Sequence, residues 1–515
     1  MSSYSILLNA LIVALLGALY LLKRRRERGH GDPGSRPMLP PGPKGLPLLG
    51  NLFDMPKKDE YLVFSQWHKT YGDICSVTVL GQPVIIVNSI DKACSMLNRQ
   101  IYSARPYYTM ACDLVGWEHA LVLLPYGERL KAYRKMLHSV IGTRANVDKF
   151  RSTIESEAHL CLSRLLDSKN GFNAPIRRAI GATLLMITHG YKVRQDNDRL
   201  IRVADEATDQ LGILLLPGMF LVDSLPFLKH LPAWFPGAGF KTLAQNWRRT
   251  LHGLVDQSYD FVIEQMARGN ATPCFVTDFV ENKTVTEQEE VDVKWAATSI
   301  YLGGADMASG VSAVSTLILA MTMYPEVQKK AQAELDSVVG QDRLPQLSDR
   351  DHLPYINAML RETIRWGPPV PLGAPHCVTE DDVYDGYLIP KGSVVVANLW
   401  HILQDPTVYP DPEVYRPERF LPSEGERAQS DPLEVGFGFG RRACPGVHLS
   451  EASLFIFTAT LLSVFKMEKV IENGIVQEPK HEFTSGVLIR PKPFKTSFKP
   501  RSAKAEALIR MVEDC

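Results

Sequence analysis

The 515 residues carry no net charge, since 57 Lys and Arg balance 57 Asp and Glu. No block of one sign dominates, which argues against nucleic acid as a partner. No internal repeat is present, so solenoid and propeller architectures are excluded. No low-complexity linker divides the middle of the chain. One large domain behind a short N-terminal segment therefore fits better than the roughly three domains that length alone suggests. The eight cysteines (Cys75, Cys94, Cys112, Cys161, Cys274, Cys377, Cys444 and Cys515) have no framework spacing and form no C-x-x-C pair. That excludes a disulfide scaffold and suits a reducing compartment. Apolar side chains, in contrast, make up 45% of the residues, ample for a large core.

The residues ahead of the first apolar run lack a basic charge, and the charge lies behind it. Residues 6–22 are almost uninterruptedly apolar, and Lys23-Arg24-Arg25-Arg26 follows at once. As a helix the run spans about 25 Å, enough for a thin bilayer such as the endoplasmic reticulum. A cleaved signal peptide would carry its positive charge in front. The positive-inside rule leaves the bulk of the chain facing the cytosol, behind a single-pass anchor. Residues 39–47, Leu-Pro-Pro-Gly-Pro-Lys-Gly-Leu-Pro, read as a stiff, extended spacer.

Near the other end stands Phe437-Gly-Phe-Gly-Arg-Arg-Ala-Cys-Pro-Gly446, followed by a largely apolar run to Leu462. Pro445 favours a helix start, which places Cys444 at a helix N-terminus where free amides stabilise a thiolate. Gly436, Gly438 and Gly440 let the backbone turn tightly against a flat partner. Arg442 is placed to pair with a carboxylate on that partner. Rival readings are a buried structural cysteine and a zinc site shared with His448, the latter weakened by the missing C-x-x-C. The absence of C-x-x-C-H rules out covalent c-type haem.

The pattern Phe437-x-x-Gly440-x-Arg442-x-Cys444-x-Gly446 resembles the haem-binding signature of the cytochrome P-450 family. The resemblance runs along essentially the whole chain. It implies a mainly α fold with small β-sheets (α+β), a haem domain over residues 51–500, an anchor over 1–23, a basic and Pro-rich hinge over 24–50 and a peripheral tail over 501–515. It implies haem b with Cys444 as the iron ligand. Pro125 to Arg134 is similar to the segment whose Trp and Arg bond the haem propionates. Arg134 matches the Arg, but Leu130 stands at the Trp position and leaves Lys131 or Arg129 to compensate. On the same helix Arg129, Lys131, Arg134 and Lys135 form a basic cluster for an acidic electron donor; a solvated helix face is the plainer reading.

Glu362-Thr-Ile-Arg365 and Arg419, in Tyr415-Arg-Pro-Glu-Arg-Phe420, resemble the family's Glu-Arg-Arg network, a structural lock near the haem loop. His376 is implied as a further propionate contact. Trp117, Gly303, Gly304, Val370, Leu372 and Val487 are implied to line the substrate pocket, Val487 on a strand with a turn at Phe483–Ile489. Residues 214–237 are apolar, aromatic and broken by prolines, which reads as a lid dipping into lipid or as a buried connection.

Thr286-Glu-Gln-Glu289 is a capping box opening a helix of about 38 residues, about 57 Å long, that ends before Pro325. Within it, Gly303-Gly-Ala-Asp-Met-Ala-Ser309 resembles the family's dioxygen groove, but the usual Thr is missing: Met307 and Ala308 follow Asp306. Asp306 and Ser309, three apart on one face, are the candidate catalytic pair for protons.

The expectation is a haem-thiolate monooxygenase inserting one oxygen atom into an apolar small molecule, a secondary metabolite such as a terpenoid, polyketide or indole compound. Electrons come from NADPH through cytochrome P-450 reductase, with cytochrome b5 as a second donor. The alternatives are an isomerase or dehydratase needing no external electrons, prompted by the missing Thr, and a non-catalytic haem-binding sensor.

Overall fold

The computed structural model describes residues 37–168, 171–193, 198–216, 218–281, 285–305, 310–422 and 428–511. The helices that frame the site are α1 (Glu128–Ile141), α2 (Arg151–Asp167), α3 (Asn173–His189), α4 (Arg199–Leu214), α5 (Gly239–Ala267), α6 (Glu287–Ala305), α7 (Gly310–Met323), α8 (Pro325–Val338), α9 (Pro354–Trp366), α10 (Val447–Val464) and α11 (Ala503–Met511). The fold is mainly helical with small sheets. Helix α10 is apolar on nearly every face because α2, α7, α8 and α9 all pack against it. It is long and apolar enough to cross a membrane, yet 67% of it is buried inside the protein, as befits a core helix.

The capping box is present as read: the Thr286 amide donates to Glu289 Oε2 at 2.9 Å, and the Glu289 amide donates to Thr286 Oγ1 at 3.3 Å. α6 and α7 flank residues 306–309, so Asp306, Met307, Ala308 and Ser309 lie outside the described residues, as does the apolar run 6–22.

A four-stranded sheet has the order β1-β2-β4-β3, with β1 Ile74–Val79, β2 Gln82–Val87, β3 His376–Cys377 and β4 Val394–Ala397. β2 runs parallel to β4. Its Ile85 and Val87 face one apolar cluster while Val84 and Ile86 face another, so both surfaces are covered and the strand reads as a continuous apolar run. The hairpin turn is Leu80-Gly81, both at positive φ; Pro83 sits inside the strand opposite Thr78, not in the turn. The Phe483–Ile489 segment is a loop with one bridge, Phe483 to Pro491, rather than a strand.

Two terminal segments are tied to the body. The Ser76 amide donates to the Pro41 carbonyl at 2.8 Å and Ser76 Oγ to that of Pro40, so the described part of the Pro-rich stretch docks on β1. The tail is not peripheral: α11 buries Ala505 and Ile509 against α10 and α2, and Arg510 pairs with Asp167. Its apolar positions four apart form a stripe that the charged composition hides.

Candidate active site

Local geometry fixes Cys444. The Phe437 carbonyl accepts the Cys444 amide at 2.7 Å, closing the loop. Gly440 lies at φ 51°, and a Cβ there would come to 3.0 Å from Asn98 Cα, so any other residue would strain the loop as it passes that backbone. α10 begins at Val447, and the Gly446 amide donates to the Cys444 sulfur at 3.4 Å. Cys444 lies deep in the protein yet is exposed, because it fronts an internal cavity of about 330 Å³. Burial pushes its thiol up, against the pull of the Gly446 amide and Arg134. The helix end alone therefore does not make a thiolate here; a metal cation at the sulfur would.

Three guanidinium groups line the same cavity. Arg442 donates from Nε to the Ser103 carbonyl and from Nη2 to that of Leu124, both at 2.7 Å. Arg134 donates to the Ala443 carbonyl at 2.8 Å. Arg105 donates to the carbonyls of Ala374 and Pro375, and its buried Nε meets no acceptor. Among the described residues no carboxylate pairs with any of the three. Burial, then Arg134, pushes Arg442 down to about 10; burial, then Arg442, pushes Arg105 down to about 9. Buried positive charges without a counter-charge are costly, and a ligand carrying carboxylates would satisfy them. The donor set thus suits a flat metal-bearing group with acidic arms: one soft sulfur and three guanidiniums around an apolar space.

The profile of the Cytochrome P450 family matches residues 40–498. The chain belongs to the cytochrome P450 family. It is 46% identical over 499 residues to Cytochrome P450 monooxygenase 208 of Postia placenta, covering 96% of each chain. It is 43% identical over 483 residues to Cytochrome P450 monooxygenase claR of Ampulloclitocybe clavipes, covering 93% of this chain and 89% of that one. It is 40% identical over 519 residues to Cytochrome P450 monooxygenase CLM2 of Gibberella zeae, covering 98% and 96%. The cofactor of this P450 is haem b, its partners are a redox donor and a small-molecule substrate, and its reaction class is monooxygenation.

The cavity of this P450 gathers many of the residues singled out from sequence. Arg134, His376, Phe437, Arg442, Cys444 and Gly446 line it, as do Trp117, Gly303, Gly304, Val370, Leu372 and Val487. Gly440 does not; it serves the loop's passage over Asn98.

His376 lines the cavity with one ring nitrogen already engaged. Its Nδ1 sits 2.7 Å from the Tyr102 carbonyl, which can only accept, so Nδ1 carries the proton. Burial, then Arg105, pushes the imidazole down to about 3. An acidic arm entering the cavity would draw the imidazole back up, so His376 stays a candidate contact for it. Arg105, which sequence reading passed over, stands beside it with donors to spare. No local pattern marks Arg105; its position comes from the Ala104–Cys377 bridge between distant segments.

The helix α1 basic residues also divide differently. Leu130 is buried in the cavity wall. Arg129 does not compensate for the missing Trp, since it pairs with Asp292 at 2.7 Å; nor does Lys131, which pairs with Glu128 at the surface. Of the expected docking cluster, Arg134 turns inward and only Lys131 and Lys135 are exposed.

Glu362, Arg365 and Arg419 form a buried network behind the cavity. Arg365 donates to Glu362 from Nε at 2.7 Å and Nη2 at 2.9 Å; Arg419 Nε lies 3.4 Å from Glu362 Oε1. Next to it, Ile364 packs on Gly436, the first glycine of the cysteine loop.

Proposed function

We propose that this P450 binds haem b through Cys444 and inserts one oxygen atom from O₂ into an apolar small molecule, a fungal-type secondary metabolite such as a terpenoid, polyketide or indole compound. The carrying observation is the Cys444 sulfur facing an apolar cavity beside three arginines that no carboxylate of the described residues neutralises. When bound, the haem supplies oxygen chemistry driven by electron donation from its thiolate ligand. Arg105, Arg134 and Arg442 hold its propionates. The Gly446 amide supports the sulfur. Apolar walls such as Val370, Leu372 and Val487 seat the substrate and keep water out. Asp306, with Ser309, delivers protons. The names of the relatives, all monooxygenases, favour this over an isomerase.

Electrons come from NADPH through cytochrome P450 reductase, with cytochrome b5 as a second donor. The protein sits on the endoplasmic reticulum membrane by the segment 6–22, catalytic domain in the cytosol. The lid supports this: Leu221, Phe227 and Trp234 are exposed, at 62%, 65% and 81%, where a water-facing loop would be polar.

The test is the reduced, CO-bound spectrum with NADPH- and reductase-dependent O₂ uptake. Cys444→Ala should abolish the thiolate–CO band. A variant that keeps the band has another ligand, and substrate turnover without reductase would point to the isomerase.

A further inference from the structure

We propose that the ion pair between Lys229 and Asp113 is a latch that anionic lipid releases, so that the cavity opens to apolar molecules only where the protein rests on a negatively charged bilayer. The inference deepens the reading of the lid as a membrane-facing segment and rests on the reading of the cavity as the substrate site.

Two distant segments meet at the latch. Asp113 lies in the helical turn Met110–Val115, and Tyr108 and Trp117, on either side of that turn, line the cavity. Lys229 lies in the 3₁₀ turn Pro226–His230 of the lid. Its Nζ meets Asp113 Oδ2 at 2.7 Å, and Asp113 Oδ1 accepts the Tyr107 hydroxyl. The Met110 amide on Asp223, at 2.8 Å, joins the same two segments at the near end of the lid. From behind, Lys241 of α5 donates to the carbonyls of Lys229 and Leu231 at 2.9 and 2.7 Å, which fixes the backbone but leaves the Lys229 side chain to Asp113.

Residues 225–237 contain no Asp or Glu, and Lys229 and His230 are their only ionisable side chains. Phe227 and His230, three apart on a 3₁₀ turn, share a face, and both are exposed, as is Trp234. Lys229 stands off that face and turns its ammonium inward. An apolar segment whose charge is all positive fits an anionic leaflet. A zwitterionic headgroup fits it less well, because each phosphate there carries its own cation. With Phe227 and Trp234 among the acyl chains, the Lys229 ammonium reaches lipid phosphate by swinging its flexible stem.

The exchange is close to balanced. The two side chains of the pair are 34% and 24% exposed, and ion pairs so placed contribute little. A lysine at an anionic surface gains a comparable amount. Lipid phosphate therefore competes with Asp113, whereas in water the pair holds and the lid stays on the turn. Apolar substrates dissolve in the bilayer, so the cavity opens where they are and stays shut against water elsewhere.

The test uses the haem-loaded full-length protein in vesicles of phosphatidylcholine alone or of an equal mixture with phosphatidylserine. Two quantities are read: the stopped-flow binding rate of 1-phenylimidazole, from the haem spectral shift, and hydrogen exchange of peptides from 107–117 and 221–237, which needs no haem signal. Phosphatidylserine should raise the wild-type binding rate about five-fold, the effect of one lysine at an anionic surface, and should speed exchange in both segments. Asp113→Asn and Lys229→Gln should each bind fast in either vesicle and lose the dependence on phosphatidylserine. A wild type indifferent to phosphatidylserine overturns the proposal, as does a dependence that survives in both variants. Acceleration by inorganic phosphate on phosphatidylcholine vesicles overturns lipid as the source of the anion. Absence of the thiolate–CO band from the wild type overturns the functional reading itself, and unchanged vesicle partition of Phe227→Ser with Trp234→Ser overturns the lid reading; both are distinct from the outcomes above.

Discussion

Glu362→Gln isolates the charge of the buried network with little change of shape. In the native chain Oε2 accepts Arg365 Nε at 2.7 Å, and Oε1 accepts Arg365 Nη2 at 2.9 Å and the Arg416 amide at 2.8 Å. The glutamine oxygen can keep one side, but its NH₂ then faces an N–H of Arg365 or the Arg416 amide, donor against donor. The charge change matters more. The side chains of Arg365, Arg419 and Glu362 are all fully buried, so two guanidiniums lose the one anion that the described residues give them, in a region water does not reach. Removing one partner of a buried ion pair costs about 3–5 kcal/mol. At about 1.4 kcal/mol per tenfold, that is roughly a hundred- to several-thousand-fold in the unfolding equilibrium. It is a large part of the ~5–15 kcal/mol that holds a domain together. The measurement is the urea midpoint for loss of the thiolate–CO band in holoenzyme, followed in parallel by tryptophan fluorescence. Lys495→Ala is the control. It breaks an exposed pair with Glu472, the two side chains 61% and 43% exposed, and should cost less than about 1 kcal/mol. A Glu362→Gln midpoint no lower than the control's would refute the assignment of the network as the lock behind the cysteine loop.

Gly440→Ala should lower stability by about 1–3 kcal/mol, because alanine resists φ near +51° and its Cβ would press on Asn98; an unchanged Tm would contradict this. Asp223 joins the lid to the loop before Trp117, its carboxylate accepting the Met110 amide at 2.8 Å. Burial raises it from 3.8 to about 6, against the amides of Met110 and Thr109. Its stabilising contribution is present below about pH 4 and is lost as pH rises through about 6. The Tm of Asp223→Asn relative to wild type should therefore climb between pH 4 and 7; a flat difference would show that the carboxylate is not burdened. Phe227→Ser with Trp234→Ser should weaken the partition of the anchor-deleted protein into phosphatidylcholine vesicles by at least ten-fold, by sedimentation, if the exposed lid aromatics enter lipid.

Sequence alone determined what is local in the chain. The cysteine loop was legible because glycine, proline and a rare thiol each carry a backbone or chemical meaning within ten residues. The same holds for the Thr286–Glu289 capping box, whose two hydrogen bonds span three residues. The Glu362–Arg365 pair sits on one helical face, a common spacing that gained meaning only through its resemblance, with Arg419, to a family network. Tertiary structure decided which charges face which neighbours. Arg129 was free to serve the cavity until Asp292, 163 residues away, took it. Arg105 has no motif around it and matters only because Ala374 and Pro375 arrive beside it from 269 and 270 residues along the chain. His376 commits its Nδ1 to the Tyr102 carbonyl, 274 residues away. Gly303 and Gly304 are identical in sequence and opposite in surroundings, one open to the cavity and the other against Leu184. A side chain's partner across a folded core is set by packing at ångström range, which spacing along the chain does not encode.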